Sequence, residues 1–279
     1  MTLMRMARRA VPSLAALSYN PVLKHVLSLG DIAPPLLFKE FRGLPPNYMR
    51  VRIGAGSRLF HNQVVYLNAA RNFWYYMFER GLADLDSHIV DIGVGCGRYA
   101  HHLRDYDFKG DKFKGRYTGI DIDDEMLGWC KSHFDAGRFE FLKSTHTSAA
   151  YRNGSGGKGF YAIPLPDASA DLVFSTSLYT HLLEEELRNY TQEAFRVLRP
   201  GRHMAMYVFC LDFPPPTFTT RHTFAHRMGP AAVESLANPE AAVAYESAYL
   251  LSLCRELGFR EASIKTVKGE AQPLLLAMR

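Results

Sequence analysis

The stretch His88 to Arg98, HIVDIGVGCGR, constrains the fold more tightly than any other part of this 279-residue chain. A short apolar run (Ile89, Val90, Ile92) meets a bend with glycine at 93, 95 and 97, and a helical pattern begins at Tyr99. That order predicts a buried parallel strand turning directly into a helix. Glycine suits such a bend because a side chain would hold the backbone away from a ligand, and because positive φ costs it nothing. The helix start behind the bend offers unpaired N–H groups and the positive end of a dipole, a favourable place for a polar or anionic ligand group.

Spacing then separates two nucleotide-binding designs. The dinucleotide fingerprint GxGxxG needs glycine where this chain has Arg98. Here an acid precedes three alternating glycines, Asp91-Ile-Gly93-Val-Gly95-Cys-Gly97. A carboxylate at that strand end repels a pyrophosphate but can pair with an ammonium group. The next candidate strand, Tyr117 to Asp123, carries Asp121 near its carboxyl end, ahead of a helix expected over Asp124 to Phe134. An acid there can accept both hydroxyl hydrogens of a ribose. In a doubly wound sheet the two strands are neighbours, so Asp121 and the glycine loop share one crevice. Either aspartate alone would serve equally well as a turn or N-cap residue; their conjunction with the glycines points to a nucleoside.

With these residues in view, the chain resembles the class I S-adenosylmethionine-dependent methyltransferases over roughly Phe73 to Arg279. The resemblance rests on VDIGVGCGR at 90 to 98, GIDIDDEML at 119 to 127, LPDASADLVFSTSLYTHL at 165 to 182 and RVLRPGR at 196 to 202. It implies an α/β three-layer sandwich, Rossmann-like, with a seven-stranded mostly parallel sheet whose last strand is antiparallel. It implies S-adenosylmethionine as cofactor, with Gly93, Gly95 and Gly97 around the methionine part and Asp121 on the ribose. Asp91 is expected to reach the ammonium group through loop amides or water. Ile122, Ser175 and Thr145 are the further cofactor contacts expected, Thr145 standing nearest the position where many members carry an acid beside the adenine. Two departures are visible: Arg202 replaces the second glycine of L-x-P-G-G, and Ser144 to Thr147 supplies no acid after the third strand. The implied activity is methyl transfer to an oxygen or nitrogen of a small-molecule or glycan-like acceptor. MRVRIGAGSRLF, at 49 to 60, resembles a segment ahead of the domain in bacterial members linked to polysaccharide clusters.

Catalytic candidates follow the expected fourth strand, Asp171 to Thr176, because an open α/β sheet places its chemistry at the carboxyl ends of its strands. His181 is the first, since an imidazole titrates near neutrality and can take a proton from an attacking hydroxyl or amine. Tyr179 is the second, although a phenol is a poor base without help. Either side chain would serve equally as packing beside the cofactor. Two other functions stay open at this point: a non-catalytic S-adenosylmethionine-binding scaffold, and a nicotinamide-dependent oxidoreductase, which Arg98 counts against.

Charge is informative by position. Residues 1 to 30 contain Arg5, Arg8, Arg9 and Lys24 and no acid, so the other 249 residues are close to neutral, with 29 basic against 28 acidic side chains. A broad nucleic-acid footprint over the body is therefore not expected. The basic, apolar start is too interrupted by Pro12, Pro21 and Lys24 to span a bilayer. It suits a transit peptide, a helix in peripheral contact with anionic membrane, or a cap folded on the domain. The expected organisation is an N-terminal extension or cap at 1 to 60 and the methyltransferase domain at 61 to 279. Four separated cysteines without a CxxC pair read as reduced, buried thiols of a cytoplasmic protein, Cys96 included. Asn62 to Arg80, rich in aromatics, should be a helix whose rings pack in the core, the alternative being that one or two line the mouth of the pocket. Glu184 to Leu198 is expected as an amphipathic helix, His203 to Leu211 as the fifth strand, Ala241 to Leu257 as a helix, and 262 to 278 as a closing hairpin turning at Lys268-Gly269. The long connection at 212 to 239 should cover the acceptor. His222 and His226 share a helical spacing, but no acid joins them and Pro230 limits the helix, so no metal is expected. The glycine-rich run at 153 to 159 reads as a loop near the site.

Overall fold

The computed structural model describes residues 18–54, 62–144, 161–213, 222–267, 270 and 272–279. Its sheet strands in chain order are β1 (His88–Ile92), β2 (Asp107–Phe108), β3 (Asp111–Lys112), β4 (Arg116–Asp121), β5 (Phe139–Lys143), β6 (Ala170–Ser175), β7 (Leu198–Tyr207), β8 (Phe209–Cys210), β9 (His226–Met228), β10 (Ala231–Val233), β11 (Val243–Tyr245), β12 (Glu261–Lys265) and β13 (Leu274–Met278). The principal sheet has seven strands in the order β12-β13-β7-β6-β1-β4-β5. All neighbours are parallel except β13, which runs antiparallel to both β7 and β12. This is the expected Rossmann-like α/β architecture.

Every residue of β1 and β6 is buried. That is why their sequences read as near-continuous apolar runs, since helices cover both faces of a central parallel strand. Four helices lie in the N-terminal part: α1 (Pro21–Ser28), α2 (Pro34–Leu37), α3 (Asn47–Arg52) and α4 (Gln63–Glu79). Then follow α5 (Arg98–Arg104), α6 (Asp124–His133), α7 (Glu184–Val197) and α8 (Ser247–Glu256). Alternation along the strands divides the core in two. Val90, Ile92, Val173 and Met204 pack with α7 and α8 on one face. Ile89, Tyr117, Phe174 and Ala205 pack with α4, α5 and α6 on the other. Together these make the three layers.

Three boundaries differ from expectation, each for a tertiary reason. Strand β7 begins at Leu198, ahead of His203, because the Pro200-Gly201 turn is absorbed into a register shift against β6, where Ala170 faces Leu198 and Leu172 faces His203. Strand β7 ends at Tyr207, and Phe209–Cys210 joins a second sheet of order β8-β11-β10-β9. Residues 243–245, expected inside a helix, form β11 between β8 and β10, so α8 starts only at Ser247. Ala-Val-Ala-Tyr is compatible with either state, and strand partners supplied from elsewhere in the chain decide it. The small β2–β3 hairpin runs from Asp107 to Lys112, so it starts ahead of the polar connection at 109–115 and takes in its first half. The hairpin turn at 268–269 and the glycine run at 153–159 lie outside the described residues, as does 214–221 within the long connection after β8.

The N-terminal segment folds onto the domain. Arg50, 1% exposed, bonds Asp31 Oδ1 (2.7 Å) and Asn62 Oδ1 (2.7 Å) and also donates to the Pro45 carbonyl. Asn47 donates through its backbone N–H to Asp31 (2.6 Å) and through Nδ2 to the Leu27 carbonyl (2.7 Å). A buried guanidinium tolerates such a place only when its charge and donors are met, so this cluster fixes α1 against α3. No helix among the described residues is long and apolar enough to cross a membrane.

Candidate active site

Parallel pairing of β1 with β4 sets Asp91 beside Gly119 and Ile92 beside Ile120, so the carboxyl ends of both strands stop at one level. The Ile120 carbonyl then accepts the N–H groups of Gly93 (2.8 Å) and Val94 (3.0 Å), which turns the glycine loop over the end of β4. A cavity of about 260 Å³ opens there. Its walls come from the loop (Gly93, Val94, Gly95, Arg98), the end of β4 (Asp121, Ile122, Asp123), the segment after β6 (Thr176 to Leu178, His181, Leu182) and the N-terminal segment (Tyr19, Arg52, Ile53, Gly54).

Asp121 lines the cavity while bracing its floor: Oδ2 accepts Gly95 N–H (2.7 Å), and Oδ1 accepts the N–H groups of Ile122 (2.7 Å) and Asp123 (2.9 Å). A carboxylate has about four lone-pair sites, so it can hold the loop and still accept from a ligand hydroxyl. Burial raises its pKa while the three amides oppose that. Gly95 adopts φ +54, and a Cβ there would lie 2.6 Å from Ile53 Cγ2. The bare backbone at 95 is what lets the N-terminal segment close against the loop.

Asp91 stands behind the loop, outside the cavity lining. Tyr117 donates its hydroxyl to Asp91 Oδ2 (2.5 Å), whereas Oδ1 is buried with no hydrogen-bond partner among the described residues. Burial, aided by nearby Asp121, raises its pKa to about 7 against the Tyr117 hydrogen bond and the Arg98 charge. Arg98 Nη2 donates to the Ile53 carbonyl (2.6 Å), and its Nε is likewise buried without a partner among the described residues. Among the described residues, an orphaned guanidinium nitrogen on the cavity wall and an orphaned carboxylate oxygen behind the loop match, in sign, the carboxylate and ammonium of an amino-acid group. In the same cavity the strand-end carboxylate of Asp121 suits a ribose. The residues present therefore fit S-adenosylmethionine, an amino acid joined to a nucleoside.

The remaining expected site residues divide. His181 and Ile122 line the cavity. Gly97 does not: it starts α5 with φ +74, and a Cβ there would press on Cys130 and Phe134 at 3.1–3.2 Å, so it serves helix packing. Ser175 is fully buried and accepts the Leu178 N–H (3.2 Å), shaping the turn after β6. Tyr179 must be corrected as a base candidate. It is buried in the core with its hydroxyl on Thr191 (3.1 Å), and burial raises its pKa well beyond the usual phenol range. Thr145 lies outside the described residues. Cys96 is buried with its pKa pushed up to about 12, which leaves no thiolate for chemistry. No aromatic of α4 lines the cavity; Tyr66 and Trp74 instead donate to the Cys96 (3.2 Å) and Tyr99 (2.9 Å) carbonyls and brace the loop from behind. His226 stands in β9 and His222 packs against Phe209 and Phe224, so the pair occupies no helical face.

Sequence reasoning missed Tyr19, Arg52 and Ile53 as wall residues. Arg52 lies 9% exposed between Glu125 (2.8 Å) and Asp123 (3.4 Å), with its guanidinium 4.0 Å from the centre of the Tyr19 ring. The only signal was the resemblance of 49–60 to a segment preceding related domains, which carried no residue roles.

Comparison with known proteins agrees with this geometry. Residues 90–206, which span the loop, Asp121 and His181, match the family model of a methyltransferase domain. The fold is similar to that of the PH0226 protein from Pyrococcus horikoshii, at 16% identity and a TM-score of 0.52, over 77% of this chain and 91% of that one. It is also similar to an O-methyltransferase family protein from Burkholderia thailandensis, at 16% identity and a TM-score of 0.51, over 93% of this chain and 71% of that one. At such identity these two likenesses concern the fold alone. Residues 90–206 thus carry a methyltransferase domain, and the cavity they help to enclose fits S-adenosylmethionine as the cofactor of a methyl-transfer enzyme.

Proposed function

We propose that the enzyme methylates an oxygen or nitrogen of a small-molecule or glycan-like acceptor, with His181 as the base that takes the acceptor's proton. The observation that carries this reading is the placement of His181 in the same cavity as Gly93, Gly95 and Asp121, with its Nδ1 held 2.8 Å from the Glu240 carbonyl. A carbonyl can only accept, so Nδ1 carries the proton and Nε2 carries the lone pair. Burial lowers the His181 pKa, although the Glu240 carbonyl opposes it. The ring is thus neutral at pH 7, the form a general base needs.

S-adenosylmethionine, when bound, supplies a methyl group that is already electrophilic on its sulfonium. The chain's own work is then alignment and proton removal. In this reading Asp121 accepts from the ribose hydroxyls, Arg98 faces the carboxylate, Asp91 acts on the ammonium from behind the loop through its amides or water, and Ile122 lies alongside. The Glu240 carbonyl, contributed from the turn between β10 and β11, fixes the tautomer and tilt of His181. The acceptor would enter past His181 beneath the second sheet, where Phe209, His222 and Phe224 form an aromatic cluster with ring centres 5.2–5.4 Å apart. Half-buried aromatic surface of this kind suits a compact acceptor better than a nucleic acid, as does the balanced charge of the body.

The test is methyl transfer from radiolabelled cofactor to a panel of hydroxylated and amine-bearing small molecules and oligosaccharides. His181→Gln should keep the affinity for S-adenosylhomocysteine while lowering kcat on the responsive acceptor by about 100-fold or more. An undiminished rate would reduce His181 to packing.

A further inference from the structure

Among the described residues three tyrosines line the cavity, Tyr19, Tyr99 and Tyr190. Tyr99 and Tyr190 are 8% and 2% exposed, so their rings belong to the core, whereas Tyr19 is 42% exposed. An accessible ring on a cavity wall is surface that a flat ligand group can cover. Tyr19 is also held in place. The Arg52 guanidinium lies 4.0 Å from its ring centre, and its hydroxyl donates to Asp123 Oδ2 at 3.5 Å. Arg52 in turn is fixed by Glu125 (2.8 Å), Asp123 (3.4 Å) and the Ser18 carbonyl (3.0 Å). A planar guanidinium bonded at its edge and covered on its face by a ring has little freedom left to lose. The same cluster reaches the strand-end acid, because Asp123 donates its own N–H to Asp121 Oδ1 (2.9 Å). Asp123 therefore joins the carboxylate suited to a ribose with the Tyr19–Arg52 pair.

We infer that the cofactor's adenine stacks on the Tyr19 ring, with Arg52 as the positioning residue that holds the ring beside Asp123. A purine is flat and π-rich, and it binds an aromatic face without needing a hydrogen-bond partner there. Its base is joined directly to the sugar, so a ribose seated on Asp121 carries the base to the neighbouring wall, where Tyr19 and Arg52 stand. A ring already fixed by a cation–π contact costs less to order when the ligand arrives. The nucleoside subsite is then built from two distant parts of the chain, Asp121 at the end of β4 and Tyr19 just ahead of α1. Arg98 ties the same N-terminal segment to the helix behind the glycine loop through the Ile53 carbonyl (2.6 Å), so a bound cofactor fastens that segment to the domain. This inference rests on the cofactor assignment and is independent of the acceptor and of the role of His181.

The experiment is calorimetric titration of the full chain, and of its Tyr19→Ala, Tyr19→Phe and Tyr19→Trp variants, with S-adenosylhomocysteine. Tyr19→Ala should bind roughly 5- to 150-fold more weakly, the change that loss of one base–aromatic stack produces. The phenylalanine and tryptophan variants keep a flat ring and should stay within a few-fold of wild type. In Tyr19→Trp the new indole should be quenched by the ligand over the same concentrations as the heat signal, beyond any change that wild type shows from Trp74 and Trp129. A packing role for Tyr19 would not produce that quenching. Wild-type affinity in Tyr19→Ala, an equal loss in the alanine and phenylalanine variants, or a tryptophan variant without added quenching overturns the inference and leaves the cofactor assignment standing. A wild type that does not bind S-adenosylhomocysteine overturns both.

Discussion

The sharpest quantitative expectation concerns Asp91→Asn. Asp91 is buried, keeps one oxygen on the Tyr117 hydroxyl and leaves the other without a partner among the described residues, and its pKa is raised from 3.8 to about 7. A group whose folded pKa exceeds its unfolded one favours folding fully below the unfolded value and loses that contribution as pH rises through the folded value. For Asp91 the window runs from about pH 4 to pH 7, and the whole cost of ionising it amounts to about 4 kcal/mol. Asparagine has nearly the same shape and preserves the acceptor for Tyr117. Its amide nitrogen replaces the orphaned oxygen and is itself unsatisfied, at roughly 1–3 kcal/mol. The cofactor-free variant should therefore be about 1–3 kcal/mol more stable than wild type above pH 7, a difference that falls by about 3 kcal/mol, and so vanishes or reverses, on going down to about pH 5. Urea unfolding of both proteins at the two pH values, with unchanged slopes, measures this directly. A stability difference that does not vary with pH would refute the account of Asp91 as an uncompensated buried acid.

Two further substitutions separate architecture from chemistry. Gly95→Ala places a Cβ 2.6 Å from Ile53 Cγ2 at φ +54; it should destabilise by roughly 1–3 kcal/mol and expose residues 18–54 to protease, and wild-type stability with wild-type S-adenosylhomocysteine affinity would contradict the packing described. Tyr179→Phe removes only the hydroxyl on Thr191, so unfolding should shift by about 1 kcal/mol while methyl transfer stays within a few-fold; a loss comparable to that of His181→Gln would return Tyr179 to the active site.

Much of the fold was legible because its signals are local. The apolar run of β1, the alternation in β4, the glycine loop and the amphipathic helix α7 each follow from periodicity over a few residues, and they appear within one to two residues of where the sequence puts them. The loop and Asp121 were legible as a pair because two strand ends in one sheet must share a crevice. Other features were not local. Residues 243–245 became a strand because β8 and β10 offered partners, and strand 7 lengthened through a register shift that no pattern announces. Gly97 and Ser175 carried the right residue types at the right spacing and were drawn into packing instead. Tyr179, two residues from His181 in sequence, turns into the core, where its hydroxyl finds Thr191.

By itself, then, the order of residues determined a doubly wound sheet, a side-chain-free bend between two acidic strand ends, and a basic, acid-poor beginning. Those are properties of short stretches, settled by backbone sterics, burial periodicity and charge. Only the tertiary structure decided that Arg52 and Ile53, some forty residues ahead of the glycine loop, close over it, that Arg98 and Asp91 each keep a buried polar atom in reserve, and that a distant carbonyl at Glu240 holds the ring of His181. Such contacts depend on which surfaces meet after the sheet has formed, and the energy that selects them is spread over packing between segments far apart in the chain.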